Sequence, residues 1–314
     1  MNAPLHEEEL SEATHWVSRT AFPAVLLLFI LNEALLAVAI IRGWYWLAIP
    51  LVLIASHFMH GLLITLHEAS HGLLGKDRIH NEIIGSIIGL FTFCSFSLYR
   101  AAHQSHHAHL STERDEELWP FVIPTISRWR RMLSATLELN LGLLYTPFLF
   151  LRAFLRKGSA IRNVQLRRRI RWEFALMLAF WVMVFALTAW LHTWKFLLWM
   201  HFAPAFLAGN LQSWRKYIEH VGMTGATVNG LTRSIVARGW SGFLFSFTLL
   251  HEPYHGIHHR HAGLTYDLLP GRTVLLQPRE EDELPPFAGY RHALLHLART
   301  LLNPRAGSQW RARS

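Results

Sequence analysis

The sequence predicts an all-α integral membrane protein, and three observations carry that prediction. Its 314 residues are 52% hydrophobic and only 16% charged, too apolar for an ordinary soluble domain of this length. Four stretches, 22–41, 44–66, 174–191 and 194–212, meet or approach the roughly 20 apolar residues that a helix needs to cross a bilayer. Within each pair only two residues separate one stretch from the next, room for a tight turn and nothing more. The expected architecture is four transmembrane helices in two hairpins, with interfacial helices and a cytoplasmic histidine-rich cap.

The polar, acidic segment 1–21 lacks the basic region and short apolar run of a cleavable signal. The first apolar stretch is therefore expected to remain as an anchor. Trp44, Trp46 and Trp194 fall at the hairpin turns, where indole rings favour the membrane interface. All but two of the 30 Lys and Arg lie outside the hairpins, and those two, Arg42 and Lys195, sit at the tips. The positive-inside rule then puts both termini in the cytoplasm, in a bacterial-type inner membrane.

Two more apolar runs, 83–98 and 133–155, must fit this topology. A lone crossing by 133–155 would carry "RKGSAIRNVQLRRRIR" to the far side, against the same rule. Both runs are read as interfacial or re-entrant, and Glu138 and Pro147 suit that reading; 243–250 is too short to span. The membrane domain is placed at 22–275 and a tail at 276–314. The tail opens with "PREEDELPPF", and its "HALLHLARTLL" is expected as an amphipathic helix on the membrane surface. His292 and His296 there read as solvated helix residues.

Composition also excludes some functions. Cys94 is the only cysteine, so neither an intrachain disulfide nor a four-cysteine metal cluster can form. The net charge of +9 comes from residues set between apolar runs without a nucleic-acid-binding motif, so no nucleic-acid partner is expected.

The chemistry lies in the 21 histidines. "HEASH" supplies His67 and His71, "HQSHH" supplies His103, His106 and His107, and "HEPYHGIHH" supplies His255, His258 and His259, with His251 at its start. His220 stands alone in "WRKYIEHVG". Residues three and four apart share a helix face, so each cluster can aim its imidazoles at one point. On the expected topology every cluster emerges on the cytoplasmic side near a helix end. An isolated HExxH would suit a zinc protease with Glu68 as the base, but that scheme leaves both HxxHH clusters without a purpose. Nine imidazoles exceed the four ligands of one zinc, which implies two metal ions, and imidazole suits iron among other metals.

"HEASHG", "YRAAHQSHH" and "YHGIHH", in that order and with a membrane hairpin between the second and third, resemble the three histidine boxes of integral-membrane fatty acid desaturases and their hydroxylase and carotenoid ketolase relatives. The resemblance covers roughly residues 20–275. It implies a non-haem di-iron centre that uses O2 to take hydrogen from an unactivated C–H bond. Its implied ligands are His67, His71, His103, His106, His107, His255, His258 and His259, with His220 as an additional one. His251 stands where many relatives carry Asn, so its place in or beside the metal shell stays open. Glu68 becomes a carboxylate that orients a ligand, and Asp115, Glu116, Glu219 and Glu252 are similar candidates.

Deeper in the membrane, His57 and His60 are expected to line a substrate cavity or support the ligands. Glu33 is either a hydrogen-bonded inward-facing residue or a functional one. The implied activity is acyl-lipid desaturation, with lipid or carotenoid hydroxylation or ketolation as the close alternative. An intramembrane zinc protease and a non-catalytic haem or metal carrier are more distant ones. The chain has no CxxC pair and no nucleotide-binding glycine motif, so electrons would come from a separate ferredoxin, rubredoxin or cytochrome. Arg167, Arg168 and Arg169 belong to a basic face that either attracts such a carrier or only sets orientation.

Overall fold

Glycines end the first two helices and so set the first hairpin. Gly43 adopts φ 69° after α1 (Ala21–Arg42), and Gly72 adopts φ 76° after α2 (Tyr45–His71). A left-handed residue closes a helix by turning its N–H back to free carbonyls, and Gly43 N–H reaches the carbonyls of Ala39 and Ile40. Across the hairpin, the Asn32 side-chain amide donates to the Leu51 carbonyl at 3.0 Å. This computed structural model describes residues 17–236 and 238–313, so most of the polar segment 1–21 lies outside the described residues.

The regular elements among the described residues are helices, with one isolated bridge between Ile235 and Phe287. The run at 83–98 resolves into α3 (Arg78–Phe91) and α4 (Phe96–Ala108), which meet at 104°. Ser95 caps α4, accepting from Leu98 N–H at 3.1 Å; such caps satisfy donors that the first helical turn leaves open. The run at 133–155 is likewise broken, into α5 (Arg128–Asn140) and α6 (Gly142–Leu155).

α7 (Val164–Trp190) starts ten residues before its apolar stretch and takes in the arginine run. Glu173 within it accepts from Ser95 Oγ at 2.6 Å and from Ser97 N–H at 2.9 Å, which fixes the start of α4. Arg169 pairs with Glu173 and with Glu82 of α3, so one of the arginines expected to face a carrier or the membrane has carboxylate partners.

The expected fourth stretch is helical throughout but divided: α8 (Trp194–Leu197), a π turn (Leu198–Phe202) and α9 (Ala203–His220). Among the described residues, three unbroken helices, α1, α2 and α7, are long and apolar enough to cross a membrane. Many of their large side chains, including Leu27, Ile30, Leu35, Leu176 and Leu178, are exposed. Apolar surface on helices whose backbone is internally satisfied is what a lipid environment accepts.

Beyond these lie α10 (Val228–Leu231), α11 (Gly239–Thr248), α12 (His255–Arg260) and α13 (Tyr290–Ala298). α13 forms where the amphipathic helix is expected, but its stripe meets protein. Ala293 and Leu297 are buried in one cluster with Leu118, Phe121 and Tyr217. His296 is not freely solvated, since its Nδ1 accepts from Arg233 Nε at 2.9 Å.

Candidate metal centre

Three helices bring their C-terminal ends to one place, and a short fourth helix joins them there. His67 and His71 occupy the end of α2, His103, His106 and His107 the end of α4, and His220 the last position of α9. His255, His258 and His259 make up half of the six-residue α12. Helix C-termini carry partial negative charge and favour cations. Their convergence suits a positively charged occupant.

All nine imidazoles come together, and they divide. Ligand atoms of His67, His71, His103, His107 and His258 lie within 4.8 Å of one another. His106, His220 and His259 form a second such group, and His255 joins its edge through a group with His220 and Glu219. Within the first group, His103 Nε2 is 3.0 Å from His71 Nε2 and 3.1 Å from His107 Nε2, which is 3.1 Å from His258 Nε2. In the second, His255 Nε2 is 2.8 Å from His220 Nε2 and 3.0 Å from His259 Nε2, which is 3.3 Å from His106 Nε2. The His107 and His259 rings stack at 4.3 Å between centroids, joining the groups.

The other ring nitrogens show what these contacts mean. His103 Nδ1 meets Glu117 at 2.9 Å, His106 Nδ1 meets Asp115 at 2.8 Å, and His255 Nδ1 meets Glu252 at 2.9 Å. A carboxylate accepts, so each Nδ1 carries the proton and each Nε2 presents a bare lone pair. His220 Nδ1 likewise faces the Leu231 carbonyl at 3.3 Å, so the bare Nε2 atoms of His220 and His255 aim at one another across 2.8 Å, and such lone pairs repel unless a cation lies between them. Nitrogens bound about 2.0–2.1 Å from one ion would be about 3 Å apart at right angles, the spacing seen. His67 is buried, and neither of its nitrogens has a hydrogen-bond partner in the chain. The donor set therefore fits metal, in a five-imidazole and a four-imidazole group.

Electrostatics favour neutral ligands except at His106, where burial is outweighed by Asp115 and Glu117 and the pKa is raised. Burial lowers the pKa of His255, His258 and His259, keeping their lone pairs free. Burial pushes Glu117 up to about 7. Burial acts the same way on Glu252, but His67, Arg215 and the bond from His255 hold its carboxyl well below the usual range. Arg215 Nη1 donates to Glu219 at 2.9 Å and to Glu252 at 2.6 Å.

The carboxylate candidates separate. Glu68 Oε1 lies 3.2 Å from His67 Nδ1, and Glu252 Oε2 lies 3.6 Å from the same nitrogen. Asp115 faces His106, whereas Glu116 turns away to Arg152 and Arg156. Glu117, its neighbour in the acidic run "DEE" that follows the second cluster, is the partner that sequence reasoning missed. Arg215 was missed too; an arginine four residues before Glu219 was the signal available.

His251 falls outside the groups. Its Nδ1 meets Ser246 Oγ at 2.9 Å and its Nε2 meets Ser18 Oγ at 3.0 Å, and burial lowers its pKa to about 4. His57 is engaged by Thr248 Oγ1 at 2.8 Å, and His60 is buried.

Next to the histidines is a cavity of about 680 Å³, walled mainly by apolar side chains that include Leu26, Leu63, Ile87, Leu143 and Trp181. Tyr99, Thr146, Phe150 and Gln212 line it and also line the small polar pocket that holds His67, His103 and His106. The two spaces therefore share a wall. Neither His57 nor His60 is among the lining residues; Glu33 and His201 are.

Comparison with known proteins agrees with this arrangement. A protein from Bacillus subtilis (strain 168) described as "Fatty acid desaturase" is 26% identical over 189 residues, 56% of this chain. The chain spans about half the length of that relative, 51%. The family model described as "Fatty acid desaturase" matches residues 44–291, which takes in all nine converging histidines; the chain belongs to the fatty acid desaturase family.

Proposed function

We propose that this chain is an O2-dependent membrane oxidoreductase that desaturates the alkyl chain of an acyl lipid. The observation that carries the reading is the wall that an apolar cavity of about 680 Å³ shares with a pocket lined by five of the nine converging imidazoles. The first site would be held by His67, His71, His103, His107 and His258, and the second by His106, His220, His255 and His259. Two iron ions there would supply the activation of O2 and the removal of hydrogen from an unactivated C–H bond.

The remaining work belongs to the chain. Asp115, Glu117 and Glu252 hold Nδ1 protons and so keep each Nε2 aimed inward. Arg215 holds Glu219 and Glu252 in place. The apolar walls bind the alkyl chain and exclude water. Electrons come from a separate ferredoxin, rubredoxin or cytochrome. We place four spans in two hairpins in an inner membrane, with both termini and the metal site cytoplasmic, because basic residues avoid the hairpins. A HExxH zinc protease is disfavoured, because His67 and His71 join three further imidazoles where zinc takes about four ligands in all.

Purified protein should contain two irons per chain, and a host expressing it should gain a new lipid double bond that a His106→Ala control lacks. A new hydroxyl or keto group instead would select the hydroxylase or ketolase alternative. One zinc per chain and an unchanged lipid profile would overturn the proposal.

A further inference from the structure

The cavity has two unlike ends. Tyr99, Thr146 and Gln212 lie at the histidine end, since they also line the polar pocket there. Glu33 and His201 line the same cavity but not that pocket. Glu33 follows Asn32, which is bonded to Leu51, and Leu51 precedes His67 on α2 by sixteen residues, about 24 Å of helical rise. His201 precedes His220 by nineteen residues of nearly continuous helix, about 28 Å by the same measure. Both therefore belong to the end remote from the metal ligands.

Neither residue is accounted for by the fold. Glu33 Oε1 and His201 Nε2 are buried and have no hydrogen-bond partner within the protein. Polar groups at that depth are costly and are usually retained for a partner. His201 also lies in the π turn Leu198–Phe202, a rare backbone form that often marks functional positions. The rings around it, Phe91, Trp181 and Phe202, have centroids within 4.9–5.9 Å of the imidazole, so the partner it lacks is not supplied by these neighbours.

We infer that Glu33 and His201 form a recognition site for an uncharged hydrogen-bonding group, a hydroxyl in the first instance, on the end of the substrate chain remote from the oxidised carbon. The inference rests on the proposed lipid-oxidising function and narrows its substrate to chains functionalised at both ends. A hydroxyl can both donate and accept, so it can pair with either of these unpartnered groups, as an unmodified methyl end cannot. A charged end is excluded by the hydrocarbon that makes up the rest of the wall.

The test is binding, which requires no turnover. Stearate and its ω-hydroxy analogue are compared by competition against one fluorescent fatty acid on the purified full chain. The ω-hydroxy chain should bind at least tenfold more tightly, and Glu33→Leu with His201→Phe should remove that preference while stearate binding persists. The wild-type comparison decides the matter even if the double variant does not fold. Equal affinity of the two chains overturns this inference alone. Binding of neither overturns it together with the function on which it rests.

Discussion

Asp115 joins the candidate metal centre to the loop behind it, and replacing it with Asn separates the two roles. One carboxylate takes four bonds: Oδ2 accepts from His106 Nδ1 at 2.8 Å and Ser111 N–H at 2.9 Å, Oδ1 from Glu117 N–H at 3.1 Å and Leu118 N–H at 3.3 Å. The residue is buried, so water cannot substitute. Asparagine has one accepting oxygen and would keep the shorter pair, leaving its NH2 against two N–H donors. A lost hydrogen bond to a charged group costs about 1.5–3 kcal/mol, and since the lost pair is the longer one, the low end of that range for each gives roughly 3 kcal/mol for both together. His106 also exchanges a charged acceptor for a neutral one, and loss of such support lowers metal affinity by roughly 10–100-fold. Metal retained during dialysis against graded chelator measures the second effect, and thermal unfolding in detergent measures the first. Glu113→Gln, on the exposed part of the same loop, should change neither. If Asp115→Asn holds metal as tightly as wild type, the carboxylate does not orient His106 and the tautomer argument is wrong.

Three further outcomes follow from the same geometry. Arg215→Met strands Glu219 and Glu252 as buried charges, at a cost of roughly 3–5 kcal/mol, visible as a lowered unfolding midpoint; an unchanged midpoint would show that the ion pairs are dispensable. His251→Ala should leave metal content intact, because both its nitrogens are bonded to serines, and loss of metal on elemental analysis would make it a ligand after all. Gly209→Leu should loosen the α6–α9 contact, since a Cβ there would stand 2.5 Å from Leu143 N. Overpacking costs typically about 1–3 kcal/mol, and an unperturbed midpoint with unchanged fatty-acid binding would count against so tight a crossing.

The comparison between sequence and structure is clearest at α4. The HxxHH spacing shows from the sequence that His103, His106 and His107 cluster on one helix, because helical period is a local property. It does not show that His103 and His107 serve one group while His106 serves the other. That partition depends on contacts such as His107 with His258, 151 residues away, and His106 with His259, 153 away. Asp115, Glu116 and Glu117 teach the same lesson. They look alike in a row of acidic residues, and only the fold turns two toward imidazoles and one toward arginines.

The sequence by itself determined the membrane class, the helical register of every histidine cluster and the position of each cluster at or near a helix end, because apolar run length and spacing act within one segment. Tertiary structure alone decided the split into five and four imidazoles, the exclusion of His251, the carboxylates that set each tautomer, and a cavity bearing Glu33 and His201. Each of these depends on which surfaces of separate helices pack together, and that packing is chosen by the whole chain at once.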